Sequence, residues 1–243
     1  MSITQNRRLT WRFSFNLIRA MLVLFVVSQA AQADEIAIWN FNDSNLNVDH
    51  GSGTLTSNIV AANILFAAGT TNNARQGDLA GQALSLQGGT GTANNGRNIT
   101  FNVSTLGFSN IVVSFATQGT STGFISNQFQ YSLDGVTFID FGVPYMPASA
   151  FGSVPLTFSL SAIAGLNDNP NAAFRIVFNG ATSSTGTNRI DNFVVEGSPS
   201  GTPEPSGIPE PTSAVLLLSG LSGLYRLRKR KKKACEDATD LKS

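Results

Sequence analysis

Cysteine, histidine and lysine are scarce in this chain of 243 residues, and each scarcity excludes a kind of chemistry. The single cysteine, Cys235, has no partner for an intramolecular disulfide, so packing has to stabilise the fold. The single histidine, His50, cannot build a histidine-rich zinc site, and we expect it in an exposed loop. Residues 34–200 contain no lysine, four arginines, eight aspartates and two glutamates, a net charge of −6. We expect no nucleic acid partner, because an acidic domain repels phosphates.

The first apolar run is too short to cross a bilayer. Residues 20–27 supply eight apolar side chains, whereas a transmembrane helix needs about 20. Arginines precede this run, and Ala31-Gln32-Ala33 after it has the small-x-small pattern of a cleavage site. Residues 1–33 are therefore predicted to be a signal peptide, with Ala31 and Ala33 at the cleavage site. Since Arg7-Arg8 is not followed by the bulky apolar pair of a twin-arginine signal, we expect the Sec translocon and signal peptidase to process it.

The second apolar run belongs to a tail of three parts. It covers residues 214–225, follows Pro209-Glu210-Pro211 and precedes a cluster of basic residues. The basic cluster consists of Arg226, Arg228, Lys229, Arg230, Lys231, Lys232 and Lys233. One interpretation is a short membrane helix whose basic flank stays in the cytoplasm, with residues 234–243 as a cytoplasmic tail.

The other interpretation is a sorting signal, since residues 209–233 resemble the PEP-CTERM tail of Gram-negative bacteria. In that family a membrane cysteine protease, the exosortase, recognises the Pro-Glu-Pro box, which makes exosortase an expected partner. The resemblance implies transient residence in the inner membrane and then delivery to the cell surface or extracellular matrix, with exopolysaccharide as a further expected partner. A second Pro-Glu-Pro, at residues 203–205, lies in a predicted linker of Pro, Gly and Ser at 198–208.

The remaining residues, 34–197, have an apolar period of two. Ile99, Phe101 and Val103 alternate with Asn98, Thr100 and Asn102, and the same alternation recurs at residues 111–115, 156–160 and 174–178. Further strands are predicted at residues 35–41, 83–87 and 190–196. Asp134-Gly135 predicts a two-residue type I′ hairpin turn. The pattern indicates an all-β domain, an antiparallel β-sandwich with jelly-roll topology.

This domain resembles, through short motifs, the jelly-roll domains of bacterial surface proteins and carbohydrate-binding modules. The motifs are Trp39-Asn40-Phe41, Ser132-Leu133-Asp134-Gly135 and Arg189-Ile190-Asp191-Asn192. Trp39 and Tyr131 are predicted to pack in the core or at an edge, in preference to stacking on a sugar.

Calcium is the one metal ion that the sequence favours, and no cofactor is required. Ca²⁺ prefers hard oxygen ligands, and jelly-roll modules often hold a structural ion where the first and last strands approach. Asn42, Asp43 and Asp191 are therefore candidate ligands. The alternative is that these side chains serve turns through their own hydrogen bonds.

Catalytic patterns have simpler explanations. Residues 119–123 spell G-x-S-x-G, but His50 precedes them and the surroundings are typical of a polar turn. Asp134 and Asp140 lie on one predicted hairpin, where the turn accounts for Asp134. We predict a non-enzymatic surface or matrix protein. A carbohydrate-binding module is the alternative, ahead of an ice-binding protein or a hydrolase.

Overall fold

A computed structural model describes residues 33–200. The cleavage-site residue Ala31, the Pro209-Glu210-Pro211 box and the basic cluster lie outside the described residues. Within the described range the chain is built almost entirely from strands, with single turns of 3₁₀ helix at Ala61–Asn63, Thr90–Thr92 and Ala164–Leu166. No helix in this part of the chain is long and apolar enough to cross a membrane.

Twelve strands form two antiparallel sheets. In chain order they are β1 (Asp34–Trp39), β2 (His50–Gly51), β3 (Thr54–Ser57), β4 (Ile64–Ala68), β5 (Gln82–Gln87), β6 (Arg97–Asn102), β7 (Phe108–Gly119), β8 (Ser126–Ser132), β9 (Phe138–Asp140), β10 (Leu156–Ser159), β11 (Ala173–Asn179) and β12 (Thr187–Pro199).

The seven-stranded sheet is organised around β12. One side of β12 pairs with β7, which in turn pairs with β10. On its other side, the first part of β12 pairs with β5, which continues to β4, and the second part pairs with β1, which continues to β2. The five-stranded sheet has the order β3-β6-β11-β8-β9. Because the chain crosses repeatedly between the sheets, the fold is the predicted antiparallel sandwich of jelly-roll type.

Aromatic side chains fill the space between the sheets. Phe101 stacks on Phe193 with ring centroids 3.5 Å apart, and the edge of Trp39 meets Phe101 at 5.0 Å. All three rings are fully buried. Tyr131 packs at the edge of the core against Phe141, with ring centroids 6.2 Å apart. The prediction that Trp39 and Tyr131 serve packing is therefore confirmed.

The strands predicted from alternation are present, but two local predictions are wrong. Strands β8 and β9 form a hairpin, as expected, but five residues separate Ser132 from its partner Phe138. Asp134 does not adopt the left-handed conformation of a type I′ turn, because its carboxylate accepts the N–H groups of Val136 and Thr137 while Gly135 alone takes positive φ, at 76°. These N–H groups hold the pKa of Asp134 well below its usual range.

His50 is the second correction, since it lies in a strand and not in an exposed loop. It pairs with Ile38 of β1, and its imidazole Nε2 is 3.8 Å from a carboxylate oxygen of Asp78. The side chain is 37% exposed. A two-residue strand carries no period, so the alternation of the sequence could not reveal it.

Candidate functional site

The outer faces of the two sheets differ in what covers them. On the seven-stranded sheet, residues 69–81 between β4 and β5 form a loop that we call the covering loop. Beneath it, Ile38, Ala116 and Val194 are almost completely buried although they do not belong to the core between the sheets. The centre of this outer face is therefore covered, whereas Leu65, Thr157 and Ser159 toward its edges are exposed.

Amide and guanidinium groups fasten the covering loop. The Asn73 amide donates to Ser114 Oγ at 3.1 Å and to the carbonyl of Asn192 at 2.7 Å. Asn192 has positive φ, at 49°, and donates in return to two carbonyls of the loop. Arg75 forms an ion pair with Glu196 at 2.8 Å and lies 3.6 Å from Glu35. The two glutamates are cross-strand partners that both neighbour Arg75, so they are not a free pair of carboxylates.

Asp191 lies under the covering loop and is fully buried. Its Oδ2 accepts the N–H of Thr70 at 2.7 Å, and its Oδ1 accepts the N–H of Asn192 at 2.9 Å. Among residues 33–200, no basic side chain forms an ion pair with it. Burial therefore raises the pKa of Asp191 to about 7, against the opposing effect of the two N–H groups.

The three candidate calcium ligands are bonded to different segments. Asn42 Oδ1 accepts the N–H of Gln82 at 3.0 Å, at the start of β5, while Asp191 Oδ2 accepts the N–H of Thr70. Asp43 is exposed and accepts a hydrogen bond from Asn45. In the described part of the chain, no three side chains of His, Cys, Asp or Glu converge on a point that could hold a metal ion. A ligand set that contains Asn42 does not fall under these residue types, so calcium at Asn42, Asp43 and Asp191 stays a prediction.

The outer face of the five-stranded sheet presents polar side chains, and we call it the polar face. Cross-strand pairing aligns its outward residues in rows that cross all five strands. One row is Thr56, Thr100, Arg175, Gln130 and Asp140, the next is Thr54, Asn102, Ala173, Ser132 and Phe138, and a shorter row is Asn98, Val177 and Gln128. Ala173 and Ser132 are fully buried, so they are not available at the surface.

Arg175 lies at the centre of the polar face. Its guanidinium carbon is 3.6 Å from the centroid of the Phe138 ring, a cation–π stack. The guanidinium Nε donates to Gln130 Oε1 at 2.7 Å, and Gln130 Nε2 donates to Asp140 Oδ1 at 2.7 Å. These contacts hold the planar guanidinium in one orientation at the partly buried surface of the sheet.

The neighbouring amides leave hydrogen-bonding groups free. Asn102 donates to Thr54 Oγ1 at 3.3 Å, and Thr100 donates to Asn98 Oδ1 at 3.3 Å. Each bond uses one group of an amide that offers both donors and acceptors. The polar face can therefore give and receive hydrogen bonds at fixed spacing.

A groove continues the polar face at one end. It has a volume of about 240 Å³ and is lined by polar and small residues from the ends of β6 and β11 and from the β8–β9 loop. Asn102 belongs to both surfaces, and Asp134 and Asn171 line the far wall. A ligand longer than the sheet is wide could extend into this groove.

Comparisons with known proteins leave the family open. No family model matches the chain, and no curated protein matches it. Among solved structures, it is similar to domain 4 of an extracellular arabinanase from Geobacillus stearothermophilus in complex with arabinotriose, with 15% identity, a TM-score of 0.44, and coverage of 69% of this chain and 94% of that one. The xylan-binding domain CBM22-1 from Paenibacillus barcinonensis Xyn10C gives 10% identity, a TM-score of 0.43, and coverage of 71% and 99%. The K2 cleaved adhesin domain of Lys-gingipain gives 13% identity, a TM-score of 0.39, and coverage of 66% and 97%. At these scores and identities the likeness determines neither a family nor a ligand.

Sequence reasoning identified part of the polar face and missed its centre. The alternation in β6 places Asn98, Thr100 and Asn102 on the outward side, as the structure does. Arg175 and Gln130 could have been found from the alternation of β11 and β8, but their pairing requires the register between the strands, which the sequence does not supply.

Proposed function

We propose that the sandwich is a non-enzymatic domain that binds glycans through the polar face. The observation that carries the proposal is the contrast between the two outer faces. The covering loop lies over the centre of one face, and the other presents amides and hydroxyls around Arg175.

The chemistry of the polar face suits a ligand rich in hydroxyl groups. Sugar hydroxyls both donate and accept hydrogen bonds, and so do the amides of Asn98 and Asn102. Asp140 and Arg175 are the charged residues of these rows, and Gln130 links them. The internal hydrogen bonds reduce the rotamer entropy that binding would otherwise cost, because the side chains are already oriented.

Aromatic stacking has a limited part in this proposal. Phe138 is the aromatic side chain of the aligned rows, and Arg175 covers one of its faces. Trp39 is buried, so it cannot contact a ligand at the surface. We therefore expect recognition to depend on hydrogen bonds, and a single sugar to bind more weakly than a polymer that spans several rows.

The side chains considered for catalysis have structural explanations. Ser121 of the G-x-S-x-G pattern lies in an exposed loop, while His50 contacts Asp78. Glu35 and Glu196 both neighbour Arg75. Each group has a structural partner or an isolated position that accounts for it, and a binding role requires none of them.

Export would bring such a domain to extracellular polysaccharide. The signal peptide at residues 1–33 and the tail at residues 209–233 support delivery to the cell surface or matrix, with exosortase as the processing enzyme. Exopolysaccharide is the glycan that an exosorted protein would meet first. These steps rest on sequence motifs alone.

Affinity gel electrophoresis of the purified protein against a panel of polysaccharides tests the binding proposal. At least one glycan should retard the protein, and Gln130→Ala should reduce that retardation, because it frees Arg175 and Asp140 from their common partner. Gln118→Ala is the matched control, since Gln118 pairs with Arg189 in the seven-stranded sheet. If no glycan retards the wild type, a matrix protein without a glycan ligand becomes the better account.

A further inference from the structure

Arg175 differs from the other arginines of the described domain. The side chains of Arg75, Arg97 and Arg189 all donate at least one hydrogen bond from a terminal guanidinium nitrogen to an oxygen of the protein. Arg175 donates only through Nε. Within residues 33–200, its two Nη groups have no hydrogen-bond acceptor and it forms no ion pair.

The position of Arg175 makes these free groups significant. The side chain is partly buried, and desolvation lowers the pKa of its guanidinium. A cation that has lost part of its hydration gains more from an anionic partner than a fully exposed cation does. Its plane is fixed by the Phe138 ring and by the bond to Gln130, so the two Nη groups are displayed together at the surface of the sheet.

We propose that the guanidinium of Arg175 binds the carboxylate of an acidic sugar, so that the ligand of the polar face is a glycan containing uronic acid. The inference rests on the proposed glycan binding and specifies its ligand. Two adjacent N–H donors of a planar guanidinium match the two oxygens of a carboxylate, a bidentate geometry that a hydroxyl group cannot complete. The amides in the neighbouring rows would bind the hydroxyls of the same sugar and of its neighbours.

The negative charge of Asp140 affects how strongly Arg175 attracts a carboxylate. Its carboxylate interacts electrostatically with Arg175, but Gln130 stands between them and takes the hydrogen bond that a direct ion pair would use. Arg175 therefore stays available, while the negative charge of Asp140 weakens the attraction for a carboxylate. Asp140→Asn should strengthen binding of an acidic glycan.

The experiment compares polygalacturonate with the same polymer after reduction of its carboxyl groups to alcohols. Binding of the purified protein is measured by affinity electrophoresis, with far-UV circular dichroism to confirm that each variant is folded. The binding is measured at moderate salt, which screens the repulsion between the polyanion and the net charge of −6 on the domain. Wild type should then bind polygalacturonate about tenfold or more tightly than the reduced polymer, as expected for charge-assisted hydrogen bonds. Arg175→Gln should remove this preference. Arg175→Lys should keep only part of it, because lysine cannot bind bidentately.

The matched control is Arg189→Gln, which removes the same charge from the seven-stranded sheet. This variant should still prefer polygalacturonate to the reduced polymer. The comparison thus distinguishes the effect of losing one positive charge from the effect of losing the Arg175 site. Equal binding of both polymers, or an undiminished preference in Arg175→Gln, would overturn the acidic-sugar inference and leave glycan binding standing. Absence of binding to either polymer overturns the inference, and absence of binding to the whole polysaccharide panel overturns the proposed function with it.

Discussion

Replacing Asp191 with asparagine should change how the stability of the domain depends on pH. The carboxylate is fully buried under the covering loop, with two N–H donors and no cationic partner among residues 33–200. Its pKa is about 7 in the folded protein and 3.8 in the unfolded chain. Between these values the folded state holds a proton that the unfolded state has released, so the stabilising contribution is complete below pH 3.8 and is lost as pH rises through about 7.

The size of the effect follows from the two pKa values. At 1.36 kcal/mol per pKa unit, the difference lowers the free energy of unfolding by about 4 kcal/mol between low pH and pH 8. An asparagine at position 191 has no charge to bury, but its NH2 group cannot accept a hydrogen bond, whereas both oxygens of the carboxyl group, charged or protonated, can. One N–H, of Thr70 or Asn192, loses its acceptor at a cost of about 1–3 kcal/mol. Asp191→Asn should therefore be more stable than wild type at pH 8 and less stable at pH 4.

Urea unfolding at pH 4, 6 and 8, in the presence of a chelator, measures both curves. Other carboxylates titrate in this range too, so the quantity of interest is the difference between variant and wild type, which removes their common contribution. The difference should change sign between pH 4 and pH 8. A difference that stays constant over this range would show that Asp191 does not titrate there, and the account of its burial would be wrong.

A bound calcium ion would reverse the order of stability of Asp191→Asn and wild type at pH 8. If an ion binds Asp191, the folded wild type gains stability by mass action when Ca²⁺ is added at pH 8. Asp191→Asn would then lose that increment and be the less stable protein in calcium. Identical unfolding curves of the wild type with calcium and with chelator would remove the calcium site from the account.

Three further predictions concern other parts of the chain. If calcium binds, Asp43→Ala should abolish the calcium response of the unfolding curve, as the predicted ligand set requires. An unchanged response would remove Asp43 from that set. Gly69→Ala should lower the free energy of unfolding by about 1–3 kcal/mol, because a Cβ there would clash with the Ala80 carbonyl and the Asp191 carboxylate. Gly152→Ala is the control and should be nearly neutral, since the nearest atom to its Cβ would be 3.7 Å away. Equal unfolding curves of the two variants would refute the tight packing of the covering loop. Glu210→Ala should leave an unprocessed chain in the inner membrane, and mass spectrometry that finds an intact C-terminus on the wild-type surface protein would refute exosortase processing.

The strands could be predicted from the sequence because alternation is a local property. Ile99, Phe101 and Val103 are buried in the core. The alternation predicts this, because successive side chains of a strand face opposite sides of the sheet. The turn at Asp134 was wrong because a side chain that caps two N–H groups competes with the backbone preference of an Asp-Gly pair.

The environments of the site residues depend on contacts between distant parts of the chain. Asp191 was expected just before the last strand, but it lies within β12 and accepts a hydrogen bond from Thr70, 121 positions earlier. Similarly, Arg175 and Gln130 lie 45 positions apart, and only the register of β8 with β11 makes them partners. Local sequence patterns cannot predict either of these contacts between distant parts of the chain.

The most direct test of glycan binding through the polar face is to map the bound ligand on the protein in solution. Isotope-labelled protein would be titrated with fragments of the polysaccharide that binds best, and the shifts of its amide resonances followed by NMR. The largest shifts should come from Thr100, Gln130, Arg175 and their neighbours on β6, β8 and β11, while Asn73 in the covering loop should not respond. Shifts that cluster on the seven-stranded sheet, or none at saturating ligand, would contradict the assignment of the polar face as the binding surface.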